Sequence, residues 1–163
     1  MTLTKTKYYF EALDYYPYNL AECMEALNYA LSYDPEDADS LCLMGRIYSE
    51  MLCDYEKAKM YFEEAMLCDV NNVNTPKYYI KCLLDNDELQ EAEKLIAFAM
   101  KIKGVDKAAV LMLRSLLSEK RGSRANALKF LREAEKYCFT QEVLETVKAR
   151  KKFIKSKMRK ETV

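Results

Sequence analysis

Apolar residues recur three and four positions apart along most of the chain, which is the spacing of one face of an α-helix. Four segments follow a stricter pattern. A small residue is followed by a large apolar residue four positions later and by an alanine seven positions later. The segments begin at Cys23, Ala58, Ala92 and Ala127, and their alanines are Ala30, Ala65, Ala99 and Ala134. This pattern predicts four helices that each bury one narrow face.

The four segments are copies of one unit, because their first residues are separated by 35, 34 and 35 positions. A second helical run precedes each segment, so every repeat is expected to contain two helices. The apolar faces of these first helices are Tyr8, Ala12 and Tyr15; Leu41, Met44, Gly45 and Tyr48; Tyr79, Ile80 and Leu83; and Leu111, Ser115 and Ser118. An extra residue near Pro17 and near Cys53 leaves the register of the first two of them open by one position. We predict a single domain over 1–163, with repeats over about 5–36, 37–71, 72–105 and 106–139.

Polar residues and glycines mark the predicted helix ends. Residues that accept hydrogen bonds from free backbone amides precede each second helix and the last helix. They are Asn19, Asp54, Asp87, Ser123 and Thr140. Gly104 and Gly122 suit left-handed helix ends. Pro35 ends the first repeat, and Pro76 stands in the first turn of a helix, where its missing amide costs little.

The paired helices and the segments "DPEDADSLCLMGRIY" and "DYEKAKMYFEEAMLCD" resemble the tetratricopeptide repeat (TPR) family. The likeness covers about residues 7–139 and is strongest in the second repeat, where Gly45 and Ala58 occupy the positions of close helix contact. Tyr48 and Phe62 then fill the space between the helices. The resemblance implies an all-α fold, a right-handed α-α superhelix (a TPR-like solenoid) of about four helix pairs plus a C-terminal capping helix.

The resemblance also implies that the first helices line a concave groove that binds another protein or a peptide segment. The residues expected to face this groove are Tyr9, Leu13, Tyr16, Cys42, Arg46, Ser49, Lys77, Tyr78, Lys81, Met112, Leu116 and Glu119. Co-chaperones of the family grip a carboxylate tail with lysine, asparagine and arginine. Here only Lys77 matches, since Lys81 stands at the asparagine position. We therefore predict an adaptor or small chaperone for an extended segment with aromatic or aliphatic anchors.

A last helix is predicted over 140–160, with apolar positions that cover the final repeat. Eight basic residues lie between Lys148 and Lys160, which is more than a cap requires. The candidates for anion binding are Lys148, Arg150, Lys151, Lys152 and Lys155. A solvated basic face is the first interpretation, and binding of RNA or another anionic surface is the alternative. A third is self-association, in which this helix meets the acidic first repeats of a neighbouring molecule.

Charge is unevenly distributed, although the formal net charge is zero. Residues 1–70 carry fourteen acids and five bases, whereas residues 141–163 carry three acids and eight bases. The two ends of the chain are therefore expected to attract different partners.

Catalytic chemistry is not indicated by the sequence. Histidine is absent, and the six cysteines lack the paired spacing of a zinc site, so we expect buried, reduced thiols. Neither a phosphate-binding glycine loop nor a calcium loop occurs. The prediction is a non-enzymatic protein without cofactor or metal.

No segment contains the run of about 18 uncharged apolar residues that a membrane span needs, and the first residues lack the apolar core of a signal peptide. We therefore expect a cytoplasmic location without membrane insertion.

Overall fold

The structure is a computed structural model that describes residues 3–162, with side chains from residue 7 onward. Within this range all regular elements are helices. They are α1 (Leu3–Tyr15), α2 (Leu20–Tyr33), α3 (Ala38–Arg46), α4 (Tyr55–Cys68), α5 (Thr75–Asp85), α6 (Leu89–Ala99), α7 (Lys107–Lys120), α8 (Arg124–Glu135) and α9 (Gln141–Glu161). A π-helical turn, Ile47–Met51, continues α3. Across residues 3–162, none of the helices is both long enough and apolar enough to cross a bilayer.

Consecutive helices pack in pairs. Helix α1 packs with α2, α3 packs with α4, α7 packs with α8, and the long α9 packs against α8. The predicted all-α fold of helix pairs with a C-terminal helix is thus confirmed. The chain forms two compact units, Met1–Cys82 (unit 1) and Leu83–Val163 (unit 2). The single domain over 1–163 stays a prediction.

Small side chains stand at the closest helix contacts, as the repeated pattern predicts. Ala30, Ala65, Ala99 and Ala134 are all fully buried. Gly45 shows the reason, because a Cβ atom built on its backbone would lie 2.8 Å from two ring carbons of Phe62. Real Cβ atoms essentially never come so close to a neighbour. Only glycine therefore lets α3 approach α4 while Phe62 fills the space between them.

Each unit has its own apolar core. In unit 1 one cluster joins α1, α2 and α3 through Ala12, Leu27 and Leu43, and a second joins α3, α4 and α5 through Phe62 and its neighbours. The unit 2 cluster consists of Leu111, Ala127, Leu128, Leu131, Ala134, Val147 and Ile154. Val147 and Ile154 belong to α9 and are fully buried, so this helix covers the last pair as predicted.

The predicted caps are correct at three helix starts. The side chains of Asn19, Asp54 and Thr140 accept hydrogen bonds from the amides of Glu22, Lys57 and Val143 at 3.3, 3.2 and 3.3 Å. Ser123 stands at the start of α8 without a side-chain bond to it. At α6 the prediction is wrong by one residue, since Glu88 and not Asp87 precedes the helix.

One backbone geometry recurs at the turn inside repeats two, three and four. The residue that precedes the N-cap is left-handed, with φ of +52° at Cys53, +57° at Asp87 and +79° at Gly122. The next amide then donates to a carbonyl of the preceding helix. These bonds, all 2.8 Å long, join Asp54 to Tyr48, Glu88 to Leu83 and Ser123 to Ser118. Asp87 therefore ends one helix instead of capping the next, a role that aspartate tolerates better than most residues.

The π-helical turn accommodates the extra residue of repeat two. The bond from Asp54 to Tyr48 spans six positions, whereas the matching bonds in repeats three and four span five. Within the turn, the Leu52 amide bonds to the Ile47 carbonyl at 3.1 Å, which is the wider π pattern.

The first helix of repeat one matches its predicted apolar face at Ala12, which is fully buried, but not at Tyr15, which is 39% exposed. Tyr9, Leu13 and Tyr16 are half-buried against the unit 1 core. The buried face is therefore centred on Ala12 as predicted, and it extends toward these three residues instead of toward Tyr15.

In repeat two, Cys42 and Ser49, expected to face solvent, are 5% and 4% exposed. Cys42 is covered because it shares a cluster with Cys82 of α5.

The expectation of buried thiols holds for Cys23, Cys42 and Cys82, but Cys53 and Cys68 are exposed because they lie at helix ends.

Gly45→Ala should lower the free energy of unfolding by about 1–3 kcal/mol through overpacking against Phe62. Helix propensity alone predicts the opposite effect, an increase of roughly 1 kcal/mol in the free energy of unfolding. Urea unfolding followed by circular dichroism distinguishes the two. As a control, the same change in a Phe62→Leu background should lower the free energy of unfolding by less. A Gly45→Ala variant that is more stable than wild type would contradict the close contact.

The shared left-handed turn predicts opposite effects at equivalent positions. Cys53→Gly should stabilise the protein by about 1 kcal/mol and Gly122→Ala should destabilise it by about 1 kcal/mol, because a Cβ atom is disfavoured at positive φ. Chemical denaturation of both variants under reducing conditions measures this. Shifts of the same sign would refute the equivalence of the two turns.

Candidate functional site

The first helices of unit 1 enclose a cavity of about 220 Å³. Five of the predicted groove residues line it: Tyr9 and Leu13 from α1, Cys42 and Arg46 from α3, and Tyr78 from α5. Three further residues complete the wall, namely Asp39, Leu43 and Asn74. Side chains from three successive repeats therefore meet at one place.

Arg46 is the central polar group of the cavity. Its guanidinium carbon lies 4.0 Å from the ring centroid of Tyr78 and 4.8 Å from that of Tyr16. A planar guanidinium stacks favourably on aromatic faces, which a lysine ammonium does less well. Tyr78 belongs to α5 and Tyr16 directly follows the end of α1, so the arginine of α3 contacts side chains from three successive repeats.

Glu50 fixes this arrangement from the π-helical turn. Its carboxylate accepts a hydrogen bond from Nε of Arg46 at 3.3 Å and another from the Tyr16 hydroxyl. Glu50 was not among the predicted site residues, although its position four residues after Arg46 is a common spacing for a helical ion pair. The wider turn places the carboxylate beside α1, and spacing alone does not predict that.

Asn72 forms the link on the other side of the cavity. Its side-chain oxygen accepts from the amides of Asn74 and Thr75 at 2.9 and 3.1 Å, which caps the start of α5. Its side-chain nitrogen donates to Asp39 at 3.0 Å. The first turn of α3 and the first turn of α5 are thus tied together, and Asp39 is held at the cavity wall.

Burial raises the pKa of three weak acids in or beside the cavity. The pKa of Tyr9 rises from 10.0 to about 12 because of burial, followed by repulsion from Asp39. Burial raises the pKa of Cys42 to about 11, and burial together with the bond to Glu50 raises that of Tyr16. The phenols and the thiol are therefore protonated at neutral pH and are poor nucleophiles.

Arg46 remains charged in this setting. Burial by itself would lower its pKa, but Glu50 and the neighbouring tyrosines raise it above the ordinary value. The cavity accordingly contains a fixed cation that is already paired with Glu50, and a separate carboxylate at Asp39. Such an arrangement can bind and orient a neutral or charged group by stacking, hydrogen bonding and apolar contact.

The remaining predicted groove residues lie elsewhere. Lys77 holds its ammonium 5.1 Å from the centre of the Tyr78 ring, and Lys81 is exposed. Met112 and Leu116 belong to unit 2, where both are half-buried and Met112 packs on the core.

The predicted anion-binding residues divide into two groups. Arg150 donates two hydrogen bonds to Glu119, at 2.6 and 3.1 Å, and Lys151 donates one to Glu135 at 2.8 Å. These two side chains hold α9 in place. Lys148, Lys152 and Lys155 point along an exposed face of the same helix.

In the described part of the chain, no group of three or more cysteine, aspartate or glutamate residues is arranged to hold a metal ion.

The comparisons with known proteins identify the class of fold. No family model matches the sequence, and no curated protein matches it. Among solved structures, the chain is similar to the Pseudomonas aeruginosa protein pilF, with a TM-score of 0.83 and 18% identity over 96% of this chain and 70% of that one. It is also similar to the MamA protein, with a TM-score of 0.68 and 15% identity over 98% of this chain and 91% of that one.

Both neighbours are repeat proteins of the TPR type, so the chain has a TPR-type helical repeat fold. The predicted resemblance is confirmed at the level of the fold.

Alkaline titration tests the geometry of the cavity. The folded state holds the Tyr9 proton more tightly than the unfolded state, whose pKa is about 10. The resulting stability is complete below pH 10 and is lost as the pH rises toward 12. The ultraviolet difference titration of wild type minus Tyr9→Phe should therefore show a midpoint near 12. A midpoint near 10 would show that the Tyr9 hydroxyl is open to water.

Proposed function

We propose that the chain is a non-enzymatic protein-interaction module, which binds an extended segment of a partner protein at the unit 1 cavity. The observation that carries the proposal is the convergence of Tyr9, Leu13, Cys42, Arg46 and Tyr78 from three successive first helices. TPR-type repeats use the surface of their first helices in this way. The buried, protonated phenols and thiol also agree with binding rather than catalysis.

The cavity favours an apolar anchor on the bound segment. Leu13, Leu43 and the faces of the tyrosine rings supply apolar surface, and a volume of about 220 Å³ has room for one aliphatic or aromatic side chain. Aromatic side chains often form the anchoring part of such interfaces. An anchor that fills a pre-formed cavity adds affinity without a large ordering cost.

Charge argues against an acidic tail as the ligand. The guanidinium of Arg46 already lies over the rings of Tyr16 and Tyr78, and one of its donors is held by Glu50. Asp39 adds a negative charge to the wall, in a unit whose sequence is strongly acidic. A carboxylate entering the cavity would meet like charge, whereas a neutral or basic segment would not.

The finer assignments stay predictions. They are the adaptor or small chaperone role, the cytoplasmic location, and the participation of Lys77, Lys81, Met112 and Leu116 in a longer groove. RNA binding through the basic helix would use a different surface, on α9.

Site-specific photo-crosslinking tests the location of the interface. A photoreactive phenylalanine analogue replaces Tyr78 in one variant and Tyr18 in a control, since Tyr18 is 94% exposed and does not line the cavity. In cells that naturally contain the protein, we expect a defined partner segment to be joined at position 78 and not at position 18. Equal labelling of the same partners at both positions would refute the site.

The crosslinked segment then provides a synthetic peptide for a direct measurement. Binding to Tyr78→Ala should be at least about tenfold weaker than to wild type, which matches the loss of an anchoring contact. Tyr18→Ala should bind as wild type does. Unchanged affinity of a folded Tyr78→Ala variant would exclude the cavity as the binding site.

A further inference from the structure

A line of basic side chains runs along one exposed face of α9. Lys148, Lys151, Lys152, Lys155, Ser156 and Arg159 surround a shallow depression of about 400 Å³ on the helix surface. Their spacing of three, four, seven and eleven positions places them on the same side of a helix. From Lys148 to Arg159 the line is about 16 Å long, at 1.5 Å per residue.

The attachment of α9 to the protein uses this face only through Lys151, which donates to Glu135. Val147 and Ile154 supply its buried contacts, and Arg150 is bonded to Glu119. At the end of the helix, Glu161 pairs with Arg124. Removing the exposed lysines would leave all of these contacts intact.

Most of the charge on the face is not neutralised. Lys151 is paired with Glu135, and Lys148 lies 3.9 Å from Glu145, at the limit of an ion pair. Within residues 3–162, no carboxylate lies within ion-pair distance of Lys152, Lys155 or Arg159. Unpaired like charges repel each other, so their accumulation on one line indicates an external anion.

We propose that this face, here called the basic face, binds the phosphodiester backbone of a double-stranded nucleic acid without regard to base sequence. A duplex strand presents phosphates at a regular interval of about 3.4 Å along its axis, and lysines and arginines contact them by charge. At that interval a line of about 16 Å spans about four to five phosphates of one strand. Three or four of its basic side chains have no full ion pair and can contact them.

The basic face lacks the features that other anionic partners need. Single-stranded nucleic acid is held largely by stacking on aromatic side chains, and the face contains none. The ring of Phe153 lies on the same helix, but Arg150 and Lys157 stand over it at 5.0 and 4.4 Å. The basic face also carries no apolar anchor of the kind that stabilises protein interfaces.

A lipid surface is disfavoured for a similar reason. An amphipathic helix binds a bilayer by inserting its apolar face below the headgroups. In α9 the apolar residues Val147 and Ile154 are fully buried in the core of unit 2. The exposed apolar residues of the helix, Phe153 and Met158, are five positions apart and so lie on different sides of it. The helix therefore has exposed charge but no continuous apolar face to insert.

Fluorescence anisotropy with the full chain and labelled DNA duplexes of about 20 base pairs tests the proposal. Two duplexes of unrelated sequence should bind with the same affinity, with log Kd rising linearly with log salt between about 50 and 200 mM KCl. For three or four phosphate contacts, the slope should be about 3 to 4. A clear difference between the two sequences, or no binding at the lowest salt, would overturn the proposal.

A charge-matched pair of variants locates the contact. Lys152→Gln with Lys155→Gln should weaken binding by about tenfold at low salt and reduce the salt slope by about 2. Lys94→Gln with Lys103→Gln removes the same charge from exposed positions outside the basic face and should bind as wild type does. Equal losses in both double variants would show a general charge effect and refute a site on α9.

Two competitors separate the partner classes. If polyglutamate, or vesicles of anionic lipid, displace the labelled duplex as well as unlabelled duplex does at equal charge concentration, the nucleic-acid assignment is wrong. The outcome is independent of the unit 1 cavity, because Tyr78→Ala should leave duplex binding unchanged. Failure of one proposal is thus distinguishable from failure of the other.

Discussion

The close approach of paired helices is the constraint on which the rest of the structure depends. It is most severe where Gly45 meets Phe62, since even one methyl group would lie at 2.8 Å from the ring. The buried alanines at 30, 65, 99 and 134 repeat the same condition along the chain. Short interaxial distances leave narrow spaces that single large residues fill, and this dense packing keeps each pair in one register.

Side-chain hydrogen bonds between neighbouring repeats follow from that regular packing. Tyr16 bonds to Glu50 across 34 positions, Asn72 to Asp39 across 33, and Lys120 to Asp87 across 33. These separations are about one repeat, so equivalent places in successive repeats lie side by side. In unit 1 two of these bonds flank the cavity and restrain the helices that form it. A binding surface that is fixed before its partner arrives loses less conformational entropy on association.

The two units differ in the chemistry that they expose. Unit 1 offers aromatic rings, a stacked arginine and carboxylates around a cavity, which suits a neutral or basic protein segment. Unit 2 ends in a helix whose unneutralised lysines suit a regular polyanion. The uneven charge along the sequence is therefore consistent with the two kinds of partner proposed for the two units.

Much of the fold was determined by the sequence alone, because helix periodicity, small contact residues and N-caps such as Asn19, Asp54 and Thr140 act over a few positions. Most of the groove residues near the cavity were also predictable from one face of each first helix. Glu50, Asp39 and Asn74 were not, since their place in the cavity depends on the π-helical turn and on contacts between repeats. The exposure of Tyr15 and the burial of Cys42 were likewise decided by tertiary structure. Periodicity fixes a face only to within one position, and packing against the neighbouring helices selects the one that is buried.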